Sequence, residues 1–205
     1  MDNSVPSQYP SAVEDLISAL RMLPGIGRRS AERMALAMLK FPAEELKMLG
    51  EVISALPQSV GCCPICGNLT EKDSPCAICT STRRDESIIC VVEDFSRIAV
   101  LEKSGGFHGL YHVLGGRISP LDDELEDTLR INALEKRLES GKVKELILAL
   151  GGDIESRATA LYLANKFANK VSKITKLAQG LPAGGDLAYA DSATILAAIN
   201  GRNTL

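Results

Sequence analysis

The clustering of cysteines constrains the fold of this chain more than any other feature. Five of its six cysteines fall within eighteen positions, and four of these form two Cys-x-x-Cys pairs nine residues apart, at Cys63, Cys66, Cys76 and Cys79. A disulfide framework is typically spread along a short secreted chain, whereas paired knuckles of this kind are typical of metal binding. The spacing therefore predicts a compact metal-binding module between residues 59 and 84.

Four thiolates suit one tetrahedral Zn²⁺ and leave no coordination position for a substrate. The predicted zinc ion is therefore structural, one per chain, and stabilises a segment with few core residues of its own. Two alternatives remain open from the sequence. The cysteines could be buried or redox-active thiols, and Cys62 could replace Cys63 as a ligand.

Three apolar stripes at helical spacing precede the cysteines, which predicts a helical N-terminal domain over residues 1–58. The turn between the first two stripes reads Leu-Pro-Gly-Ile-Gly, from Leu23 to Gly27. Such a turn before a helix N-terminus exposes backbone N–H groups that can bind a phosphate oxygen, and Arg28, Arg29 and Arg33 follow it. The alternative is an ordinary turn with solvated arginines.

Beyond the cysteines, apolar strand patterns alternate with helical ones. The predicted strands cover residues 88–92, 111–114, 146–150 and 171–175. The predicted helices cover 96–103 and 157–167, with a further helix indicated by Leu125, Leu129, Leu134 and Leu138. This alternation predicts a parallel sheet covered on both faces. Cys90 lies within an apolar run and is expected in the core, and the two histidines, His108 and His112, are expected to be polar surface or packing residues.

Acidic residues follow two of these strands. Glu93 comes directly after the first, and Asp153 and Glu155 follow the third. Ligands bind at the carboxyl edge of a parallel sheet, so the three carboxylates could hold Mg²⁺ for phosphoryl transfer. They could equally be acids favoured by helix N-termini. Asp186, in a glycine-rich loop, is either a cation contact or a turn residue.

Composition excludes several classes of protein. No run of about 18 apolar residues is present, and the polar, acidic start is unlike an export signal, so a cytoplasmic location is expected. No P-loop sequence occurs, which disfavours a P-loop NTPase. The net charge of −3 does not exclude nucleic acid, because arginines concentrate around the glycine turn while acids dominate residues 122–127.

Taken in order, these runs resemble the bacterial recombination mediator family RecR over nearly the whole chain. The matching runs are Leu23–Gly27 with Ser30–Arg33, the four cysteines with Arg84-Asp85, Ile89–Glu93, Tyr111–Gly116, Ile118–Asp122, Ala158–Ala160, Gly180–Asp186 and Gly201-Arg202. The resemblance implies a multidomain α/β protein. Its parts would be a helix-hairpin-helix domain (1–58), a four-cysteine zinc module (59–84), a Rossmann-like Toprim domain with a parallel sheet (85–177), and a Walker-B-like segment with an oligomerisation helix (178–205).

The resemblance also implies a function. Members of this family are non-enzymatic DNA-binding proteins that form dimers and ring-like tetramers. They act with RecO-type and RecF-type partners to help load RecA on gapped DNA coated by single-strand-binding protein. Carried onto this sequence, DNA contact is implied for Arg29 and Arg33, and less directly for Arg28. Contact with a partner, DNA or a cation is implied for Glu93, Asp153 and Asp186.

The sequence departs from catalytic Toprim enzymes where they carry paired acids. The first aspartate position holds Gly151, and the glycine and glutamate that usually follow are replaced by Ser156 and Arg157. A two-metal phosphoryl-transfer site is hard to build from Glu93 and Asp153 alone. The preferred hypothesis is thus a DNA-binding scaffold, and the alternatives are a magnesium-dependent Toprim nuclease or primase-like enzyme and a zinc-containing adaptor that never touches DNA.

Overall fold

A computed structural model describes residues 9–118 and 129–202 of the chain. The chain divides into two units, Met1–Gln58 and Ser59–Leu205. Three of the sequence predictions lie outside the described residues: the helical position of Leu125, the acidic stretch 122–127, and most of the run that follows Ile118.

The described part of the N-terminal unit contains three helices: α1 (Ser11–Leu20), α2 (Arg28–Met38) and α3 (Ala43–Ser59). Its small core pairs two branched side chains of α1, Val13 and Ile17, with two alanines of α2, Ala31 and Ala35. Because alanine has only a methyl side chain, α2 can approach α1 closely. No residue of α3 is buried, although its apolar residues repeat at helical spacing.

The second unit begins with the cysteine-rich module. A two-stranded antiparallel hairpin, β1 (Val60–Cys62) and β2 (Leu69–Glu71), is followed by the one-turn helix α4 (Ala77–Thr80). Cys63, Cys66 and Cys76 form a buried cluster, with Cys79 packed against it. Few other apolar side chains join this cluster, as expected for a module that depends on a metal ion rather than on a hydrophobic core.

The rest of the second unit is built around a four-stranded parallel sheet in the order β4-β3-β5-β6. Its elements are β3 (Asp85–Val92), α5 (Phe95–Ser104), β4 (Gly109–Val113), α6 (Ile131–Leu138), β5 (Glu145–Leu148), α7 (Ile154–Phe167) and β6 (Lys173–Lys176). A short 3₁₀ helix (Leu187–Tyr189) and α8 (Ser192–Asn200) follow. The predicted α/β architecture with a parallel sheet is confirmed.

Alternate residues of β3 pack into the two layers that cover this sheet. Ile89 and Val91 belong to the core that includes Leu134 of α6 and Leu163 of α7. Cys90 and its neighbours on the same face pack against Ile98 of α5. The period of two along a buried parallel strand thus distributes its side chains between both faces.

The bounds of the predicted strands and helices differ by one to three residues from those expected from the sequence, and two of these differences concern the ends of the sheet. The strand predicted to reach Leu150 ends at Leu148, because the chain turns there and the N–H of Gly151 bonds to the side chain of Glu93. The last strand begins at Lys173 rather than at Val171, whose side chain packs on the core below the sheet.

Among the described residues, no helix combines the length and the apolar composition needed to cross a bilayer.

Candidate functional site

The four predicted cysteine ligands converge on one point. The sulfur atoms of Cys63, Cys66, Cys76 and Cys79 all lie within 4.8 Å of one another. The Sγ atoms of Cys66 and Cys76 are 3.6 Å apart, close to the edge of about 3.8 Å that a tetrahedron of Zn–S bonds of about 2.3 Å requires. Cys62 is exposed and lies outside the group. The sequence alternative in which it replaces Cys63 is not the arrangement found.

Backbone hydrogen bonds shape the first knuckle around Cys63. The N–H of Gly67 donates to the carbonyl of Cys63 at 2.9 Å, and the N–H of Cys63 donates to the carbonyl of Asn68 at 2.7 Å. Gly67 adopts a φ of +80°, a conformation that glycine reaches without strain. The N–H of Cys76 donates to Cys63 Sγ at 3.3 Å, which ties the second knuckle to the first.

The thiol electrostatics fit a divalent cation. A hydrogen bond from Cys79 lowers the pKa of Cys66 to about 5. The same bond raises the pKa of Cys79, and burial raises that of Cys76. Four negative charges in one buried volume repel one another, so the ionisation of one thiol makes the ionisation of its neighbours less favourable. A bound dication would remove this conflict, and the residues present therefore fit a structural metal ion.

The module is joined to the open edge of the sheet. The N–H of Val113 in β4 donates to the carbonyl of Cys66 at 2.7 Å. Because β4 is an edge strand, its outward backbone groups would otherwise lack partners. The cysteine module therefore covers this edge, and the metal-binding residues are fixed relative to the sheet.

A second group of polar side chains lies where β3 and β5 end. β3 is flanked by β4 on one side and by β5 on the other. Successive strands are therefore added in opposite directions across the sheet from β3, and the strand order reverses between β3 and β5. This is the position at which ligands bind in open parallel sheets. Glu93 follows β3, is only 8% exposed, and accepts hydrogen bonds at Oε1 from Gly151 N (2.7 Å) and Ser156 Oγ (2.5 Å).

Asp153 lies beside Glu93, as the sequence predicted. Ser156 bridges the two carboxylates, since its Oγ is also 3.0 Å from Asp153 Oδ2. Asp153 is at the same time the N-cap of α7, where its Oδ1 accepts from Ser156 N at 2.9 Å. Asp153 therefore lies at the sheet edge and also caps a helix. Its role as a Mg²⁺ ligand stays a prediction.

Position 151 has no room for a side chain. A Cβ atom there would lie 2.8 Å from Ser156 Oγ, 3.0 Å from Asp153 Oδ2 and 3.1 Å from Glu93 Oε1. An aspartate at this position, as in catalytic Toprim enzymes, would displace the bridge between Ser156 and Glu93. The glycine and the serine are therefore matched to each other.

An arginine shares the cleft with these acids. Arg117 Nη1 donates to Asp153 Oδ2 at 2.8 Å, and its Nε lies 3.6 Å from Glu155 Oε2. The hydrogen bond from the backbone of Ser156 lowers the pKa of Asp153, and the charge of Arg117 adds to that effect. The cleft has a volume of about 300 Å³, and Arg97 and Gly116 also line it. It is of mixed charge and not purely acidic.

The glycine turn of the N-terminal unit presents the start of α2. Gly25 has a φ of +81°, and Gly27 is the N-cap of α2 without a side chain to cap the first N–H groups. Arg28 is paired with Glu14 (3.5 Å) and Glu32 (2.9 Å).

The other two arginines of this turn differ from Arg28. Arg29 and Arg33 are exposed, and within residues 9–118 and 129–202 neither forms an ion pair. The guanidinium groups that can reach a phosphate without first breaking an ion pair are thus those of Arg29 and Arg33.

Asp186 serves as a local cap. Its Oδ1 accepts a hydrogen bond from Ala188 N at 2.9 Å and begins the 3₁₀ helix. In the described part of the chain, the group of side chains close enough to share a metal ion is that of the four cysteines and does not include Asp186. Partner or cation contact at Asp186 stays a prediction.

Sequence reasoning missed several residues of these sites. His112 is fully buried and contacts both the carbonyl of Arg130 and the guanidinium of Arg137. Its place within an apolar strand was the available signal. Arg117 carried no signal beyond its position after a Gly-Gly pair, and Ser156 stands out in the sequence only as a departure from a family pattern.

Comparisons with known proteins cover nearly the whole chain. Family models match residues 13–56 (RecR, helix-hairpin-helix), 87–178 (Toprim domain) and 180–203 (RecR, C-terminal). Similar curated proteins include "Recombination protein RecR" of Moorella thermoacetica, 48% identical over 96% of this chain and 98% of the relative. The proteins of the same name from Acidothermus cellulolyticus and Bifidobacterium longum are each 45% identical. They cover 96% and 95% of this chain and 98% and 96% of the relatives, respectively. The chain therefore belongs to the RecR family of recombination proteins.

Proposed function

We propose that this chain is a DNA-binding mediator of recombinational repair that performs no chemical step of its own. It would act with a RecO-type partner, and a RecF-type partner where one exists, to help RecA load on gapped DNA coated by single-strand-binding protein. The observation that carries this proposal is the start of α2. There, N–H groups without a side-chain cap lie beside the exposed Arg29 and Arg33.

DNA contact at this turn would be made to phosphates. The first N–H groups of a helix lack partners within the helix and attract anions, and arginine adds charge and hydrogen-bond donors. Such contacts carry no base information, so binding would be independent of sequence and strongly weakened by salt. Because Arg28 is held by two glutamates, its contribution would be smaller than that of Arg29 or Arg33.

The metal held by the four cysteines would be Zn²⁺, one ion per chain. A set of four sulfur ligands favours this ion, and the buried cluster leaves no position for a substrate. When bound, the ion would stabilise the folded conformation of the two Cys-x-x-Cys knuckles and their position against β4.

Two features of the sheet edge support a scaffold rather than an enzyme. At position 151 there is no space for an aspartate in addition to Asp153. The carboxylate of Asp153 is already engaged in an ion pair with Arg117. Glu93 and Asp153 would then serve as contacts for a partner protein or DNA. Asp186, in the Walker-B-like segment, would have a similar role near a subunit contact.

The exposed apolar side chains support a homo-oligomer, from a dimer to a tetrameric ring. α3 exposes Met48, Val52 and Ile53, and the C-terminal segment exposes Tyr189 and Leu196. We assign these surfaces to the helix-hairpin-helix domain (1–58) and the C-terminal segment (178–205). In the sequence, these precede and follow the zinc module (59–84) and the Toprim domain (85–177). A ring with basic residues inside would hold DNA despite a net negative charge, and it would place the protein at the nucleoid.

The experiment that tests the proposal is RecA filament formation on gapped DNA coated by single-strand-binding protein. Adding this chain with its RecO-type partner is expected to accelerate filament formation, and neither protein alone would suffice. Parallel incubation of DNA with this chain and Mg²⁺ is expected to show no nicking or priming. Robust activity abolished by Glu93→Gln would establish the Toprim enzyme instead, and absence of DNA binding even with the partner would favour the adaptor.

A further inference from the structure

The cysteine cluster poses a problem of charge. Four thiolates and one divalent cation sum to a net charge of −2, and three of the four cysteines are at most 3% exposed. Buried charge is costly unless opposite charge lies close by. Two arginines of α6, Arg130 at its N-cap and Arg137 in its last turn, lie on this side of the sheet edge, and within the described ranges neither forms an ion pair with a carboxylate.

Arg137 is fixed against the strand that carries the module. Its Nη1 donates to the carbonyl of Tyr111 at 2.6 Å and lies 3.3 Å from Nδ1 of His112. Loss of hydration lowers the pKa of Arg137, while the negative charges of the four cysteines act in the opposite direction.

Arg130 lies over the first knuckle. Its Nη2 donates to the carbonyl of Pro64 at 3.1 Å and lies 3.5 Å from that of Cys63. A Cβ atom on Gly67 would be 2.8 Å from its Nε, so the knuckle accommodates this side chain only because residue 67 is glycine. The Nε atom is buried without a hydrogen-bond acceptor among the described residues. Its positive charge is thus directed into the module.

His112 connects the two arginines. Arginine can only donate, so Nδ1 of His112 must accept from Arg137. The ring proton then lies on Nε2, which donates to the carbonyl of Arg130 at 2.9 Å. The fully buried, neutral ring therefore holds the backbone at one end of α6 and the guanidinium near its other end.

We propose that Arg130 and Arg137 are positioning residues that balance the −2 charge of the four-thiolate metal centre and hold its first knuckle in place, with His112 as their support. This inference rests on the proposed metal centre and extends it. Groups that orient or neutralise metal ligands commonly change metal affinity by about 10–100-fold when they are removed. The two arginines would thus determine how tightly the module retains its ion.

The test is chelator competition on the metal-loaded full chain, with the metal content of the unaltered protein measured first. Arg137→Gln is expected to weaken metal binding by about 10–100-fold, and Arg137→Lys to restore most of the affinity because it keeps the charge. Lys136→Gln is the matched control, since it removes an exposed charge from the same helix and should leave affinity unchanged. If Arg137→Gln fails to fold, Arg130→Gln carries the same expectation.

Unchanged affinity in a folded, metal-loaded Arg137→Gln or Arg130→Gln variant would overturn the inference. Equal losses in Arg137→Gln and Arg137→Lys would also overturn it, because hydrogen-bond geometry and not charge would then be responsible. Failure of the metal centre itself is distinguishable, since the unaltered protein would then contain no bound metal.

Discussion

The hydroxyl of Ser156 donates a hydrogen bond to Oε1 of Glu93, 63 residues earlier in the chain, with 2.5 Å between the two oxygens. The same carboxylate oxygen accepts from the N–H of Gly151. Together these bonds hold the acid that directly follows β3 in one orientation, at the point where the strand order of the sheet reverses. The Toprim cleft of this protein is thus organised by a serine and a glycine, at positions where catalytic relatives carry a glycine and an aspartate.

Replacement of Gly151 by alanine is expected to lower the free energy of unfolding by about 1–2 kcal/mol. The new methyl group would displace Ser156 Oγ and Glu93 Oε1, with a cost from overpacking and from a broken hydrogen bond. Urea unfolding measures the change. Gly152→Ala is the matched control, because its Cβ would meet no atom closer than 3.9 Å. Equal stability of the two variants would show that the bridge at position 151 does not constrain the site.

Removing one ligand of the metal centre is expected to abolish metal binding. Cys76→Ser should lower the content measured by elemental analysis from about one zinc ion per chain to none, and should lower soluble yield because the module has little apolar core. Cys62→Ser removes an exposed neighbouring thiol outside the cluster and should retain the ion. Purified, unaltered protein without zinc would refute the assignment of this cofactor.

Stability is expected to fall as the pH is lowered below about 6.5, because burial lowers the pKa of His112 to about 3 in the folded protein. Between these values the unfolded chain binds a proton that the folded chain excludes. For this one group, the free energy of unfolding should decrease by about 1.4 kcal/mol from pH 7.5 to pH 5.5. Comparing urea unfolding of the unaltered protein with that of His112→Gln isolates the effect.

The control for this pH dependence is the second histidine. His108 is exposed, so His108→Gln makes the same replacement outside the buried site and is measured in parallel. An unchanged pH dependence in His112→Gln would contradict the buried, neutral state of His112.

Local patterns were sufficient to predict the cysteine cluster and the parallel sheet. Two Cys-x-x-Cys pairs nine residues apart favour a single four-sulfur site, although the sequence left Cys62 open as an alternative to Cys63. The run from Ile88 to Val92 has the length and the apolar composition that are typical of a buried strand. The proximity of Glu93 and Asp153 followed from the rule that the carboxyl ends of parallel strands share one edge.

Contacts between distant parts of the chain could not be predicted in this way. His112 meets Arg130 and Arg137, 18 and 25 residues away, and no local pattern fixes which side chains a strand residue meets across a sheet edge. The same limit applies to the pairing of Arg28 with Glu14, which depends on how α1 packs against α2. Its other partner, Glu32, is four residues further along the same helix. The helical spacing of the apolar residues in α3 also did not reveal that this helix buries none of its side chains within the described structure.

The central claim is that the turn before α2 binds DNA phosphates through Arg29 and Arg33, and it is tested most directly by DNA affinity measured across a salt series. The double variant Arg29→Ala, Arg33→Ala is expected to bind more weakly at low salt. The slope of log affinity against log salt should fall by about 2, one unit for each arginine that no longer neutralises a phosphate. Lys40→Ala, Lys47→Ala, which removes two exposed charges from the same unit away from the turn, should keep the slope of the unaltered protein. A folded double variant with unchanged affinity at low salt and an unchanged slope would contradict the account.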